Sequence, residues 1–289
     1  MLRLFTDTDT DITPVEAEKY GYRLISMPYN VGDETVFPYE DFDTFDVHGF
    51  YEMLRGGVLP TTSAISEERY KSYFEPVLAE GDDILYVHFS AAMTATFDVM
   101  KRAVDELLIK YPERKFHTID TKGITIVSYN IACEIGQMYK DGKTVDEMLD
   151  WAKDEVDKFA VYFFADDLKF FRKSGRVSGL AAMMGTLIGV RPIIYMNSEG
   201  KMVSIGKERG RVKALERLVA YVEELGDDVK SHKVIVGHSD APEMAEELAQ
   251  MLKEKFGDDL DIVFVPVNPT AGSHCGPSGV GVSFHSKHR

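Results

Sequence analysis

Short apolar runs alternate with amphipathic stretches along most of the chain, and this alternation is what most limits the possible folds. In the first half, apolar side chains recur every three or four residues in two stretches, which predicts helices at residues 67–78 and 96–108. Short apolar runs around them predict strands at residues 2–5, 23–28, 84–89 and 116–119. This order is typical of β-α-β units wound around a mostly parallel sheet.

The second half has the same alternation but includes a hairpin signal. A strand is predicted at residues 160–165, and two more at 191–196 and 201–206 flank a turn of Asn, Ser, Glu and Gly. Helices and strands then alternate, with helices predicted at 209–225 and 242–256 and strands at 234–236 and 262–265. This pattern predicts a mixed sheet with helices.

The length of 289 residues exceeds the common size of one domain. Predicted helices at residues 124–139 and 145–158 lead from the first half to the second. We therefore expect two α/β domains, residues 1–158 and 159–289, with a ligand cleft between them.

Composition excludes some partners and compartments. The chain has 48 acidic and 33 basic side chains, a net charge of −15, so neither nucleic acid nor an anionic membrane is expected as its main partner. An anionic ligand would have to meet a local cluster of donors. Cys133 and Cys275 are far apart and outside any C-x-x-C pair, which favours free thiols in a reducing cytoplasm. No leader or membrane-spanning stretch is evident, so we expect no integral membrane association.

Two kinds of segment suggest an anion site. Residues 273–281 read Ser-His-Cys-Gly-Pro-Ser-Gly-Val-Gly, which places His274 in a predicted loop of small residues with accessible amides. Thr62 and Ser63 precede one predicted helix, and Thr94 lies at the start of the next. Hydroxyls and unpaired amides at two helix N-termini can bind a carboxylate without a formal positive charge. The alternatives are that the hydroxyls only cap helices and that the histidine is structural.

These segments, together with residues 173–178 (Lys-Ser-Gly-Arg-Val-Ser) and 190–193 (Val-Arg-Pro-Ile), resemble the DegV family of fatty-acid-binding proteins. The matching segments follow the family order from about residue 3 to about residue 284. The resemblance has departures. Ala95 replaces a glycine of the family pattern, Ser174 replaces another, and Arg191 keeps the positive charge of a family lysine.

The resemblance implies a bacterial, cytoplasmic carrier rather than an enzyme. It would bind one long-chain fatty acid and present the carboxylate to a separate ATP-dependent fatty acid kinase, which forms an acyl phosphate. The implied ligand-binding residues are Thr62, Ser63, Thr94, Arg176, His274 and Gly276. Arg209 is the implied partner contact. No cofactor is expected besides the bound fatty acid, and the chain has no Walker-type phosphate loop.

One segment of the sequence is a candidate for contact with the acyl chain. Residues 180–190 are apolar on most sides and contain two methionines. Such a stretch is typical of a core helix, but its small residues and flexible methionines also suit the wall of a hydrocarbon tunnel.

The aspartate run at residues 7–11 allows three interpretations. Asp9-Thr10-Asp11-Ile12-Thr13 matches the D-x-D-x-T pattern of a phosphatase that uses an aspartate nucleophile. A calcium loop with Glu18 as its closing ligand is the second, although Ile12 stands where that loop needs glycine. The third is a turn whose Asp and Thr side chains bind backbone amides and cap the next helix. Asp7 and Thr8 match the Asp and hydroxyl of the DegV pattern.

Two other function classes stay open. A hydrolase would pair Ser90 with His274, but no G-x-S-x-G motif occurs. A protein-interaction module with incidental lipid would keep its partner affinity after the pocket is emptied.

Overall fold

The computed structural model describes residues 1–179 and 189–289. The strands in chain order are β1 (Leu2–Asp7), β2 (Tyr22–Ile25), β3 (Tyr29–Val31), β4 (Glu34–Val36), β5 (Thr61–Thr62), β6 (Asp83–His88), β7 (Phe116–Asp120), β8 (Phe159–Phe164), β9 (Val177–Ser178), β10 (Val190–Met196), β11 (Met202–Arg209), β12 (Val234–His238), β13 (Ile262–Pro266) and β14 (Val280–His285). The α-helices are α1 (Pro14–Tyr20), α2 (Val47–Arg55), α3 (Glu67–Ala79), α4 (Thr96–Lys110), α5 (Ile126–Lys140), α6 (Val145–Glu155), α7 (Lys169–Ser174), α8 (Arg211–Leu225), α9 (Pro242–Phe256) and α10 (Pro269–Cys275). Short 3-10 helices lie at Thr8–Thr10, Ala91–Met93 and Val156–Lys158.

The predicted fold class is confirmed. The first sheet has the order β2-β1-β6-β7 and is parallel throughout. The second has the order β13-β12-β14-β8-β10-β11-β9 and is mixed, with β10 and β11 forming the predicted antiparallel hairpin. The division into domains at residues 158 and 159 stays a prediction.

Several elements lacked a clear signal in the sequence. Strands β3, β4 and β5 form a separate antiparallel sheet, and each has only two or three residues, too few to show an alternating pattern. The predicted strand at 23–28 ends at Ile25, because the chain then turns toward β3. Helix α2, helix α10 and strand β14 were also not predicted. Residues 180–188 of the proposed tunnel segment lie outside the described residues.

The prediction of a loop around His274 was wrong, because this residue lies in a helix. His274 lies near the end of α10, which begins with Pro269 and is capped by Asn268, whose side chain accepts a hydrogen bond from the Ala271 amide. Proline preorganises the first turn of a helix and an N-cap asparagine satisfies its amides, so seven small or polar residues form a helix here. The helix ends at Gly276, where φ is +73°.

Helix α5 lies between the two large sheets. Its sequence is apolar on most sides, and its buried residues join one core cluster that contains side chains of both sheets. Gly136 lets the helix approach α1 and β2, since a Cβ there would lie 2.7 Å from the Tyr20 Cβ and 2.9 Å from the Tyr22 ring. On the other side, a Cβ at Gly237 of β12 would lie 2.4 Å from Ile126 Cγ2. Both sheets are thus packed against one helix with no space for larger side chains.

The β10–β11 hairpin also contacts the first half directly. The Ser90 hydroxyl, which follows β6, donates a 2.8 Å hydrogen bond to the Gly200 carbonyl at the hairpin tip. Gly200 has φ +74°, and a Cβ there would lie 2.2 Å from the Ser90 Oγ. The contact therefore requires glycine for its conformation and for its lack of a side chain.

Within residues 1–179 and 189–289, every helix is too short or too polar to span a lipid bilayer.

We predict that Gly200→Ala destabilises the fold more than a matched glycine change elsewhere. Gly142→Ala is the control, because Gly142 also has positive φ, +78°, but its added Cβ would meet nothing within 4 Å. Left-handed strain alone costs about 1–2 kcal/mol, and overpacking adds about 1–3 kcal/mol. Urea denaturation should show the larger loss of unfolding free energy for Gly200→Ala. Equal losses in the two variants would contradict the tight hairpin contact.

Candidate ligand-binding site

An apolar cavity lies where α5, the second sheet and α10 meet. Its volume is about 710 Å³ when the open solvent at its mouth is included. We call it the tail cavity. Its walls are mostly aliphatic, aromatic and methionine side chains, including Ile124, Val161, Phe163, Phe171, Met196 and Met202.

A second cavity with polar walls adjoins the first, and we call it the head cavity. Thr62, Ser63, Thr94, Arg176 and His274, five of the six predicted ligand-binding residues, all line it. Met93, Ile124, Arg176 and His274 line both cavities. The mostly apolar cavity therefore lies next to a cavity whose walls include hydroxyls and one imidazole.

A third, shallower cavity opens beside the head cavity at the surface. Thr62, Arg176 and His274 line it too, and Lys173 adds a second cationic side chain. The head cavity thus adjoins a surface opening whose walls include the cationic side chains of Arg176 and Lys173.

His274 is held as a neutral imidazole. Its Nε2 shares a 2.9 Å hydrogen bond with the Thr62 hydroxyl. Burial, and to a lesser extent the charge of Arg176, lowers the pKa of His274 to about 4. At neutral pH the side chain therefore offers hydrogen bonds but no positive charge.

The Thr94 hydroxyl accepts a 3.1 Å hydrogen bond from the Thr96 amide in the first turn of α4. This hydrogen bond fits the predicted helix-start position, although the N-cap residue itself is Ala95. Thr96 is buried, and its hydroxyl accepts a hydrogen bond from the Ile65 amide and shares another with the Tyr70 hydroxyl. The first of these bonds ties α4 to the chain just after Thr62 and Ser63. The hydroxyl wall therefore joins the end of β5 to the start of α4, whereas α3 is capped by Ser66 rather than by Thr62 or Ser63.

The turn at residues 7–11 fixes three walls of the head cavity. The Asp7 carboxylate accepts hydrogen bonds from the Phe89 amide, the Tyr86 hydroxyl and the Asp9 amide. The Thr8 hydroxyl accepts one from the Met27 amide. The predicted role of this run in binding backbone amides is confirmed. Asp7 caps the 3-10 helix Thr8–Thr10 through the Asp9 amide, the Phe89 and Met27 amides belong to distant segments, and helix α1 is capped by Thr13.

Asp11 and Asp9 differ in their partners. Asp11 Oδ1 accepts hydrogen bonds of 2.9 and 2.7 Å from the backbone and side-chain amides of Asn268, the residue that caps α10. Asp9 is 4% exposed, lines the head cavity, and its Oδ1 has no hydrogen-bond partner among the described residues.

The metal-dependent interpretations gain no geometric support. In the part of the chain that the structure describes, the three side chains that bring ligand atoms within 4.8 Å of one another are His48, Glu52 and Asp240, away from the aspartate run. Glu18, the supposed closing calcium ligand, is exposed on α1. Asp11 accepts hydrogen bonds from Asn268, whereas Asp9 Oδ1 has no hydrogen-bond partner among the described residues.

The Ser90 hydroxyl is hydrogen-bonded to backbone groups and not to His274. Its hydroxyl bonds Gly200, and it accepts a hydrogen bond from the Ala92 amide at 3.2 Å. His274 bonds Thr62 instead. The two side chains of the supposed hydrolase pair therefore share no hydrogen bond.

The other predicted residues have distinct environments. Arg191 pairs with Asp166 at 2.5 Å, outside the cavities. Gly276 ends α10 and faces Phe170, since a Cβ there would lie 2.2 Å from that ring. Arg209 is exposed at the end of β11, and no described residue forms an ion pair with it. Cys133 and Cys275 are free thiols.

The tail-cavity residues were not found from the sequence. Eight of the 21 lie on strands, whose apolar side chains look the same whether they face a core or a cavity. Strand β8 is apolar at all six positions, and this is typical of a strand buried on both faces. Only the three-dimensional arrangement shows which face borders empty space.

Fold and site together define an α/β protein with two large sheets and two adjoining cavities, one with mostly apolar walls and one with several polar side chains. The chain belongs to the DegV family, since the family model described as "Uncharacterised protein, DegV family" matches residues 1–287. A DegV domain-containing protein of Clostridium perfringens is 31% identical over 281 residues, which are 97% of this chain and 96% of that protein.

Solved structures share the fold over nearly the whole chain. A stearic acid-binding protein from Eubacterium ventriosum matches with a TM-score of 0.87 and 20% identity over 99% of both chains. DegV, a fatty acid binding protein from Bacillus subtilis, matches with a TM-score of 0.83 and 22% identity, again over 99% of both chains. At these identities the likeness establishes the fold.

We predict that Asp11→Asn makes stability less dependent on pH. Burial raises the pKa of Asp11 from 3.8 to about 8, despite the opposing hydrogen bonds from Asn268. Between these values the folded chain keeps a proton that the unfolded chain has released, so this carboxyl lowers stability as pH rises. Asparagine keeps the Oδ1 acceptor and tolerates the φ of +60° at this position.

Thermal denaturation between about pH 5 and pH 8 tests this. The wild type should lose more stability than Asp11→Asn over that range. The control Asp33→Asn, at an exposed turn, should follow the wild type. Parallel wild-type and Asp11→Asn curves would show that Asp11 is not protonated in the fold.

Proposed function

We propose that this protein binds one long-chain fatty acid, with its hydrocarbon tail in the tail cavity and its carboxylate in the head cavity, and presents the carboxylate to a separate ATP-dependent fatty acid kinase. The observation that carries the proposal is that a mostly apolar cavity and a cavity with hydroxyl and imidazole groups lie side by side and share Arg176 and His274 as wall residues. An apolar tail with a single polar end matches this shape and polarity.

The tail cavity suits a hydrocarbon chain in its energetics. Each methylene moved from water into an apolar wall contributes about 0.8 kcal/mol, so a long chain is held without directed contacts. Met196 and Met202 add flexible side chains that adapt to the outline of the tail. Chain length and unsaturation would then be selected by the shape of the cavity.

The head cavity suits a single carboxylate. The Thr62 and Thr94 hydroxyls, the neutral His274 and the Arg176 guanidinium supply donors around a small space. Hydrogen bonds to an ionised group contribute about 1.5–3 kcal/mol each, so a few of them orient the head group. Specific binding is therefore compatible with a net charge of −15.

Family relatives support the ligand class. The Eubacterium ventriosum neighbour is a stearic acid-binding protein and the Bacillus subtilis neighbour a fatty acid binding protein. The kinase partner and a carrier role without its own catalysis are carried over from the family resemblance. The partly basic opening beside Thr62 gives the partner a route to the carboxylate.

We predict that Thr62→Ala weakens binding of a C16 or C18 fatty acid at least about tenfold, because it removes a donor to the carboxylate and the partner of His274. Thr61→Ala is the matched control, since Thr61 is exposed and lies outside the head cavity. Native mass spectrometry of the purified proteins, followed by denaturing extraction and lipid identification, measures occupancy.

A wild-type protein that is empty and takes up no added fatty acid would overturn the proposed function. Equal occupancy in Thr62→Ala and the wild type would instead overturn the assignment of the head group.

We predict that Arg209→Glu lowers acyl-phosphate formation by the fatty acid kinase at least about tenfold at limiting carrier concentration, because it reverses an exposed charge. Its fatty acid affinity should stay unchanged, since Arg209 lines neither cavity. Lys153→Glu, on exposed α6, serves as the control for charge reversal. A kinase rate that does not change would remove Arg209 from the partner surface.

A further inference from the structure

Asp9 is a buried acid that the proposed binding mode does not yet use. It lies in the centre of the turn at residues 7–11, is 4% exposed, and lines the head cavity together with Thr62, Thr94 and His274. Its Oδ1 is buried without a hydrogen-bond partner. A carboxyl group buried without partners is costly, and each such group in a folded protein calls for an explanation.

The neighbouring aspartates have a different arrangement. Asp7 accepts three hydrogen bonds and Asp11 accepts two, all from N–H or O–H donors. All of these donors bond the carboxyl of Asp7 or Asp11, and none of them bonds the carboxyl of Asp9. Asp9 Oδ1 and Asp11 Oδ2 are both buried without a partner, but of the three aspartates only Asp9 lines the head cavity, so Asp9 is the one placed to bond a ligand.

Burial, with added repulsion from Asp7 and Asp11, raises the pKa of Asp9 well above its usual value. The other titratable groups that face it are Tyr70 of α3, Tyr86 of β6, His274 of α10 and the exposed Arg176 ahead of β9. Burial keeps both tyrosines and His274 neutral near pH 7. Arg176 is the cation among these groups, and its guanidinium bonds the Ser174 carbonyl at 2.5 Å.

We propose that Asp9 binds the ligand's carboxylate as a neutral acid, its carboxyl O–H donating a hydrogen bond to the bound head group so that the two acids share one proton. The inference rests on the proposed function, because it takes a fatty acid as the occupant of the head cavity. Two acids in one site commonly hold a single proton, since the second negative charge is strongly disfavoured there.

This arrangement links ligand binding to pH. A fatty acid in water is ionised near neutral pH, like other carboxylic acids, so the shared proton comes from Asp9. Affinity should be steady while Asp9 is protonated in the empty protein. Above the pH at which it ionises, each ligand must bring one proton with it, and affinity should fall about tenfold per pH unit.

The test compares Asp9→Asn, Asp9→Ala and the wild type. Asparagine keeps an N–H donor but cannot ionise, so it should bind palmitic acid within about threefold of the wild type at pH 7 and lose the alkaline decline up to pH 10. Alanine removes the donor and should weaken binding at pH 7 about tenfold or more. Asp33→Asn is the control, because it neutralises an exposed acid outside the cavity and should keep the decline.

Two measurements on the wild type avoid dependence on the folding of the variants. Hexadecanol has the same tail without an ionisable head, so its affinity should not follow the decline seen for palmitic acid. The carboxyl carbon shift of ¹³C-labelled palmitic acid in the complex should differ from that of the free carboxylate and change when Asp9 is replaced by asparagine.

The outcomes separate the two proposals. A wild-type protein that binds no palmitic acid at any pH overturns both. Palmitic acid binding that stays constant to pH 10, or that is equal in Asp9→Ala and the wild type, overturns the shared proton alone. If the affinity for hexadecanol falls with pH in the same way, the pH dependence belongs to the fold, and this outcome also overturns the shared proton.

Discussion

The head cavity depends on the hydrogen bonds of one short turn. Thr8 bonds the Met27 amide, Asp7 bonds the Phe89 amide, and Asp11 bonds both amides of Asn268. Met27 and Phe89 line the cavity, and Asn268 caps the helix that carries His274. Because these segments are far apart in sequence, the turn is the common anchor for walls that would otherwise be independent. Its buried carboxyls are tolerated because the flanking two find donors.

Helix α5 sets where the tail cavity can form. It is buried between the two large sheets, and Gly136 and Gly237 bring it into close contact with its neighbours on both sides. The cavity opens at the N-terminal end of α5, where Ile124, Thr125 and Ile126 border the second sheet and α10. The Thr125 amide donates to the Asp9 carbonyl at 2.8 Å, so the turn at residues 7–11 also fixes this end of the helix. Head and tail cavities are adjacent because the same turn anchors both.

The sequence predicts the parts of this structure that leave a local pattern. Strands, amphipathic helices and the hydroxyls before α3 and α4 follow from periodicity and capping, and family resemblance added Arg176 and His274 to the hydroxyl cluster. The helix at His274 was missed because its cap, Asn268, precedes a stretch that otherwise looks like a loop. The tail cavity has no local pattern, since residues such as Phe163 and Met202 are ordinary core side chains until the sheets assemble. Asp9 looks like Asp7 and Asp11 in the sequence, and only the folded structure distinguishes it as the one that lines the head cavity.

Positive charge in the site increases from the interior of the head cavity toward the surface opening. The interior of the head cavity offers neutral donors: hydroxyls, an imidazole whose pKa burial lowers to about 4, and a carboxyl whose pKa burial raises. Arg176 lies at the edge, and Lys173 joins it at the surface opening. Neutral donors stabilise one shared negative charge but compensate poorly for a second, because desolvation of each added charge is costly. The interior therefore favours a carboxyl group, whereas a head group with more negative charge is better stabilised at the opening, where two cations and solvent are available.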